Sequence, residues 1–235
     1  KGVINSAIFT RSYLPVFNAD GSYAAWGSFD NSNALIDHLD NNAVGLRLIA
    51  NAFGEYTILP GLKLRSSWSL DNNNMSENNY SNTFITAGRA VNGSAAAYEN
   101  RGQTLLNEQV LTYIKSFGSS NKHNINALVG NTINYNTNRL TGATGTGFAT
   151  NNLKDISVAA ITTGTSSQAE SHLISFFGKT TYTYDNKYTA DVSLRADGSS
   201  KFGANKKWGY FPSAGVTWRA AEESFIKNLN FFNDF

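Results

Sequence analysis

Cysteine is absent from this chain of 235 residues, and proline is rare, with three. Without cysteine, disulfides and thiolate metal sites are excluded. Charge is also scarce, since Lys, Arg, Asp and Glu make up 15% of the residues, against about 25% in an average soluble domain. The formal net charge of +2 is too small to predict a nucleic-acid partner. These absences exclude classes of function without selecting one.

Long apolar runs are missing too. No run reaches the roughly 18 residues of a transmembrane helix. The opening segment, KGVINSAIFTRSYLPVF, lacks the uninterrupted apolar core of a signal peptide. A closed β-barrel is the other structure that spans a membrane, and its signal in each segment is much weaker. A barrel therefore stays open as an interpretation.

What the chain does contain is regular alternation, clearest in the stretch YTADVSLRADGSSKFGANKKWGYFPSAGVTWR at 188–219. Successive side chains of a strand point to opposite faces, so alternation predicts one apolar and one polar face. The apolar face carries Tyr188, Ala190, Val192, Leu194 and Ala196, and after a break Trp208, Tyr210, Pro212, Ala214, Val216 and Trp218. We expect Val192, Leu194, Val216 and Trp218 to face lipid in a barrel. The opposite parity supplies the candidates for the lumen, namely Asp191, Ser193, Arg195 and Arg219, with Lys179 from the preceding strand.

Similar patterns at 44–58, 62–71, 105–117, 125–129 and 174–184 bring the number of candidate strands to seven, with little helix. Short turns at 58–63, 117–123 and 184–188 alternate with polar excursions at 72–101, 140–168 and 198–207. This order is typical of an up-and-down transmembrane barrel with short turns at one end and long loops at the other. Several runs reach the length of a transmembrane strand, whereas soluble sheets have a mode of about five or six residues. A soluble β-sandwich remains the alternative, because its strands also alternate.

The segment SLRADGSSKFGANKKWGYFPSAGVTWRAAEESFI closely resembles the penultimate region of the SusC/RagA-type TonB-dependent transporters. The matching residues, which we interpret as structural, are Leu194, Arg195, Asp197, Gly198, Ser199, Ser200, Lys201, Phe202, Gly203, Trp208, Gly209, Tyr210, Phe211, Pro212, Ser213, Trp218 and Arg219. Upstream, FGEYTILPGLKLRSSWSLDNNNMSENNY and LTYIKSFGSSNKHNINALVGNTI resemble two further hairpins of the family. The resemblance covers most of the chain, in the order of the family.

The resemblance implies an all-β fold, a segment of a large antiparallel transmembrane barrel in which residues 1–235 supply about seven strands. It implies active import of nutrients, glycan fragments or peptides, across the outer membrane of a Gram-negative bacterium of the Bacteroidota type. The implied partners are a SusD-like lipoprotein and TonB, which acts through a plug. Such transporters have about 22 strands and a plugged lumen, so we expect the plug, the TonB box and the remaining strands to lie outside this segment.

The arrangements of residues that could indicate an enzyme lack the spacing that such sites require. The three histidines, His38, His123 and His172, have no ligand spacing, so neither a metal site nor another cofactor is predicted. The FGKTTY segment lacks the upstream glycine and the helix of a phosphate-binding loop. We therefore predict no enzyme. Four aromatic residues of the excursions are candidates for stacking on sugar rings, with loop packing as the alternative: Tyr80, Phe84, Tyr98 and Phe148.

Overall fold

In a computed structural model, the chain is described over residues 3–9, 13–24, 30–203 and 205–227. Its seven strands are β1 (Leu39–Leu59), β2 (Leu62–Ser81), β3 (Ser94–Phe117), β4 (His123–Thr146), β5 (Ile161–Tyr184), β6 (Tyr188–Ser199) and β7 (Trp208–Trp218). They form one sheet in the order of the chain, from β1 to β7. The helices described are short: α1 (Val3–Phe9), α2 (Ser32–His38), α3 (Thr86–Arg89) and α4 (Ser224–Lys227). Within the described ranges no helix is long and apolar enough to cross a membrane.

The prediction of a mostly β chain with seven strands in consecutive order is confirmed, and the β-sandwich is wrong, since all seven strands lie in one sheet. The predicted lengths are too short. Strands β1 to β5 have between 20 and 24 residues, so the connections that remain are 82–93, 147–160 and 200–207. The residues added to β2, at 72–81, are mostly Asn and Ser. Polar residues occupy both parities there, so pairing between backbones leaves no apolar alternation for a sequence reading to find.

The short turns depend on residues that tolerate left-handed backbone. Pro60 and Gly61 join β1 to β2, and Gly61 has φ of +85°, as the third residue of a type II turn requires. A Cβ at Gly61 would lie 2.2 Å from the carbonyl oxygen of Ile114, so the position also needs glycine for space. Asp185 and Asn186, between β5 and β6, have φ of 52° and 54°. Asp and Asn adopt this conformation more readily than other residues with a side chain.

The chain divides into two compact units, each built from several segments. The first comprises Lys1–Arg47, Asn73–Gly102 and Asn138–Ala169. It contains two small apolar clusters, one around Ala34, Leu35 and Ile85, the other formed by Tyr80, Ala95 and Phe148. Burying one such large apolar side chain contributes about 1.5–3 kcal/mol, so these clusters stabilise the first unit.

The second unit comprises Leu48–Asn72, Gln103–Thr137 and Glu170–Phe235 and includes β6 and β7. Its large apolar side chains are mostly exposed, among them Phe53, Tyr56, Trp68, Val129, Phe176, Val192, Tyr210 and Val216. Monomeric soluble proteins rarely expose contiguous apolar patches of this kind, which mark contact with a membrane or with another protein.

Candidate functional site

The hairpin of β6 and β7 carries most of the signature residues. Its register pairs Val192 with Ala214 and Leu194 with Pro212. Paired residues share a face, so the apolar residues of both strands lie together. Val192 is 61% exposed and Val216 is 88% exposed. One continuous apolar surface therefore covers one face of this hairpin, as the alternation predicted.

Four of the five candidates for the lumen lie together on the opposite face. Lys179 of β5 pairs with Ser193, and Thr181 pairs with Asp191. Arg195 follows on the same parity of β6. The fifth candidate, Arg219, lies just beyond the end of β7, where its amide donates to the carbonyl of Lys187. The polar residues thus share a face; that this face lines a lumen stays a prediction.

Arg195 contacts several side chains of this polar face. Its Nε donates to both carboxylate oxygens of Asp197, at 2.8 and 3.0 Å, and its Nη2 donates to Ser175 Oγ at 3.0 Å. The guanidinium carbon lies 5.8 Å from the centre of the Phe177 ring. Three charge-assisted hydrogen bonds and a ring contact hold this side chain. The arrangement links β5 to β6; a structural role for it stays a prediction.

The loop between β6 and β7 is held by backbone and hydroxyl hydrogen bonds. The amide of Ser199 donates to the carbonyl of Lys207 at 2.9 Å, and the amide of Ser200 donates to the carbonyl of His172 on β5, also at 2.9 Å. In return, Ser200 Oγ accepts from the His172 amide at 2.8 Å. The loop is thus closed at its base and attached to β5.

The two glycines at this end of the hairpin differ in what they require. Glycine commonly supplies left-handed backbone in turns, yet neither Gly198 nor Gly203 has φ in that region. A Cβ at Gly198 would lie 2.9 Å from the Trp208 ring, so glycine is needed there for space. A Cβ at Gly203 would meet nothing within 4 Å. Asp197 binds the Arg195 side chain.

A hydrogen-bonded network joins the turn between β5 and β6 to the segment after β7. Lys187 Nζ lies 3.1 Å from the Glu223 carboxylate and 3.7 Å from that of Asp185. Tyr188 donates its hydroxyl hydrogen to Glu223, and Trp218 Nε1 donates to the same carboxylate at 3.4 Å. The hydrogen bonds from Tyr188 and Lys187 lower the pKa of Glu223, and the bond to Glu223 raises the pKa of Lys187.

Aromatic rings cluster near the short turns. The imidazole of His123 stacks on Phe117, with 5.0 Å between ring centres, and lies equally far from Tyr184. His123 Nδ1 lies 2.6 Å from the Tyr182 hydroxyl. Amphipathic rings at strand ends are typical of the aromatic girdle of a membrane barrel. His123 belongs to this packing, and no group of His, Asp or Glu that could hold a metal ion occurs in the described ranges.

The four aromatic candidates for sugar stacking differ in exposure. Tyr80 and Phe148 are 4% and 2% exposed, and their rings pack edge to face at 5.2 Å. Their faces are covered, so loop packing explains both and the stacking role is corrected. Phe84 is exposed, with its ring 4.7 Å from that of His38. Tyr98 is half-buried and lies against Gly142. Phe84 and Tyr98 remain predictions.

The first unit also holds two polar clefts that the sequence did not predict. One, of about 500 Å³, is lined by Asp40, Asn42, Asn78 and Asp155 among others. The second, of about 380 Å³, is lined by Asp37, His38, Phe84, Asn82 and Asn151, among others. Both include the ion pair of Lys154 and Asp40, with 2.7 Å between Nζ and Oδ2. The partners are far apart in the chain, and no local pattern indicates their contact. Amides and carboxylates around an exposed ring suit a hydroxyl-rich or amide-rich solute.

Comparison with known proteins gives the family. The family described as TonB dependent receptor-like, beta-barrel matches residues 3–232. The chain belongs to this family. The resemblance noted in the sequence is thereby confirmed, and the seven-stranded sheet is a fragment of a TonB-dependent receptor barrel.

Three relatives place the chain within the TonB-dependent receptors. TonB-dependent receptor P3 of Formosa agariphila is 33% identical, over 97% of this chain and 23% of its own length. TonB-dependent receptor P26 of the same organism is 27% identical, over 97% of this chain and 24% of its own length. TonB-dependent receptor SusC of Bacteroides thetaiotaomicron is 40% identical over 26% of this chain and 6% of its own length. The chain spans about a quarter of the length of the two Formosa receptors.

A solved structure of a receptor complex has the same fold. The RagAB peptide transporter superposes with a TM-score of 0.77, over 90% of this chain and 24% of the matched chain, at 21% identity. The RagAB peptide importer in its open-open state superposes with a TM-score of 0.76. At this identity the likeness establishes the fold. The matched family consists of receptors and is not described as enzymatic. The absence of an enzymatic activity in this chain stays a prediction.

Proposed function

We propose that this chain is part of the barrel wall of an outer-membrane importer that takes up glycan fragments or peptides. One observation carries the proposal. In the β6–β7 hairpin, an exposed apolar face lies opposite a polar face on which Arg195 is hydrogen-bonded to Asp197 and to Ser175 of the neighbouring β5. Lipid on one side and a hydrated lumen on the other require this division.

Each face has its own role in this proposal. The apolar face holds the wall in the hydrocarbon region, where every exposed charge is costly. The polar face supports the hydrated path and contacts the plug that blocks it. Residues 1–235 form one part of the barrel domain, and the plug, the TonB box and the other strands belong to the rest of the receptor. The cell is a Gram-negative bacterium of the Bacteroidota type.

The partners follow from the family. TonB supplies energy from the inner membrane through the plug, and a SusD-like surface lipoprotein captures the solute. The match to SusC and the fold shared with the RagAB peptide transporter support this assignment. The polar clefts of the first unit support a solute rich in hydroxyl or amide groups, because polar side chains such as Asp37 and His38 line one of them beside the exposed Phe84 ring.

Uptake by whole cells tests the proposal. A strain lacking the full-length receptor is supplied with labelled oligosaccharides or labelled peptides as the nutrient, and uptake is compared with that of the parent. Complementation by the full-length gene restores uptake of one solute class. A matched variant without the TonB box assembles in the outer membrane and restores no uptake. Equal uptake with and without the receptor, or full uptake by the variant without the TonB box, contradicts the proposal.

A further inference from the structure

The loop at 200–207, here called the basic loop, carries three lysines and no acidic residue in the sequence SKFGANKK. Lys201, Lys206 and Lys207 are all exposed. Beside them Phe202 is also exposed, at 62%. A concentration of positive charge with an exposed aromatic ring is unusual in a chain with only 15% charged residues. The barrel wall itself does not require it.

The fold places this loop directly beyond the apolar face of the hairpin. Trp208 is the first residue of β7 and pairs with Gly198, over which its ring lies. The same ring stacks on that of Phe176, with 6.1 Å between centres. Trp208, Phe176 and Tyr210 are all exposed. Tryptophan and tyrosine are enriched where a membrane meets water, so these rings mark the border of the lipid region and the lysines lie immediately beyond it.

We propose that Lys201, Lys206 and Lys207 bind the phosphate of a lipid headgroup at the outer surface of the membrane. The long, flexible lysine side chains keep their ammonium groups at the interface while their methylene stems cover apolar surface. Each ammonium group provides three donors to phosphate oxygens. The exposed ring of Phe202 enters the acyl boundary of the same lipid. The site is a membrane contact, separate from the solute path.

Position on the sheet favours a lipid over a protein or a solute. The polar face of the hairpin carries its own charges, Asp191 and the pair of Arg195 and Asp197. The lysines, by contrast, follow the end of the exposed apolar face, which lipid covers in the proposed function. An attraction of this kind contributes roughly fivefold in affinity for each lysine near an anionic surface. The contribution weakens as salt screens the charges.

A photoreactive residue at position 202 tests the site. The full-length receptor carries benzoylphenylalanine in place of Phe202 and is reconstituted in bilayers of phosphatidylcholine with one fifth or so of phosphatidic acid. After irradiation, mass spectrometry gives the ratio of the two lipids in the adducts. A second receptor carries the photoreactive residue at Val192, in the middle of the apolar face. The lysines are changed together, Lys201→Gln, Lys206→Gln and Lys207→Gln, or all three to Arg.

At position 202 we expect the ratio of phosphatidic acid to phosphatidylcholine in the adducts to exceed the bulk ratio at least about fivefold. The three Gln changes return the adducts to the bulk ratio, and the three Arg changes keep the enrichment. At position 192 lipid adducts form at the bulk ratio in every variant, which shows that the barrel remains inserted. The proposal is refuted if position 202 shows the bulk ratio in the native receptor, if the Gln changes leave the enrichment intact, or if position 202 crosslinks only to protein. A failure to form lipid adducts at position 192 contradicts the membrane location itself, so the two outcomes are distinguishable.

Discussion

An arginine in the middle of the apolar face of the β6–β7 hairpin most directly tests whether that face contacts lipid. Strand β6 begins at Tyr188, directly after the turn from β5. Val192 lies four residues further along and is 61% exposed. At about 3.3 Å per residue, four residues advance roughly 13 Å along a strand. A tilt of about 40° reduces this to roughly 10 Å of depth in an apolar band about 25 Å tall. Position 192 therefore lies near the midplane of the membrane.

Val192→Arg should destabilise the full-length receptor by about 2–4 kcal/mol, the cost of an arginine at the midplane of a barrel. The neighbours in register, Thr180 and Ala214, offer no carboxylate to the new charge. Urea unfolding in lipid vesicles measures the free energy, and the fraction of barrel that resists denaturation in gel electrophoresis measures assembly. A shift of more than tenfold in the unfolding equilibrium is expected.

Ser193→Arg is the matched control, one residue further along the same strand on the polar face. Its partners are Lys179 and Ser213, so the new charge meets one like charge across the pair at a cost of roughly 0.2–1 kcal/mol. Water in the lumen solvates the rest. Equal losses at the two positions, or a larger loss at Ser193, would refute the assignment of the apolar face to lipid.

Three further predictions concern the two ends of the strands, the Glu223 network and the glycines. Cysteines replacing Asn152 and Ser119 should differ on intact cells, with an impermeant thiol reagent labelling only position 152; labelling of position 119 alone would invert the topology. Glu223→Gln should lower stability above about pH 4.5 and make the receptor less sensitive to acid. The reason is that a carboxyl group whose pKa is lowered in the folded state stabilises the fold above its ordinary pKa, and this stabilisation is lost as the pH falls through the folded-state pKa. If the substitution leaves the dependence of stability on pH unchanged, the Glu223 network does not stabilise the folded receptor. Gly198→Ala should destabilise the hairpin by about 1–3 kcal/mol because its Cβ meets the tryptophan ring above it, whereas Gly203→Ala should be neutral, and the reverse order would contradict the packing.

The β6–β7 hairpin shows how far sequence reasoning reaches. Its two faces follow from alternation because the apolar residues of one parity, from Tyr188 to Ala196, are opposed by polar residues on the other. The turn at Asp185 and Asn186 follows from residues that tolerate left-handed backbone. The pairing of neighbouring strands is also local, since strands that are consecutive in the chain lie side by side in the sheet.

The long ends of the strands could not be predicted in this way. Along β2, apolar residues of one parity end at Leu70, and Asn72, Asn74, Ser76 and Asn78 follow on the same parity. Where both faces are polar, strand and loop have the same composition. The backbone hydrogen bonds that distinguish them lie between segments. For the same reason the sequence assigned 72–81 and 161–168 to loops.

The sequence by itself determined the fold class, the family, the order of the strands and the apolar and polar faces of the hairpin, because each depends on local periodicity or on a contiguous motif. Tertiary structure decided which aromatic rings are free. Tyr80 and Phe148 are distant in the chain but pack together, while Phe84 stays exposed. It also decided that Lys154 meets Asp40 and that Gly198 lies under a tryptophan ring. These contacts join residues whose spacing in the chain carries no information about their distance in space, so only folding brings them together.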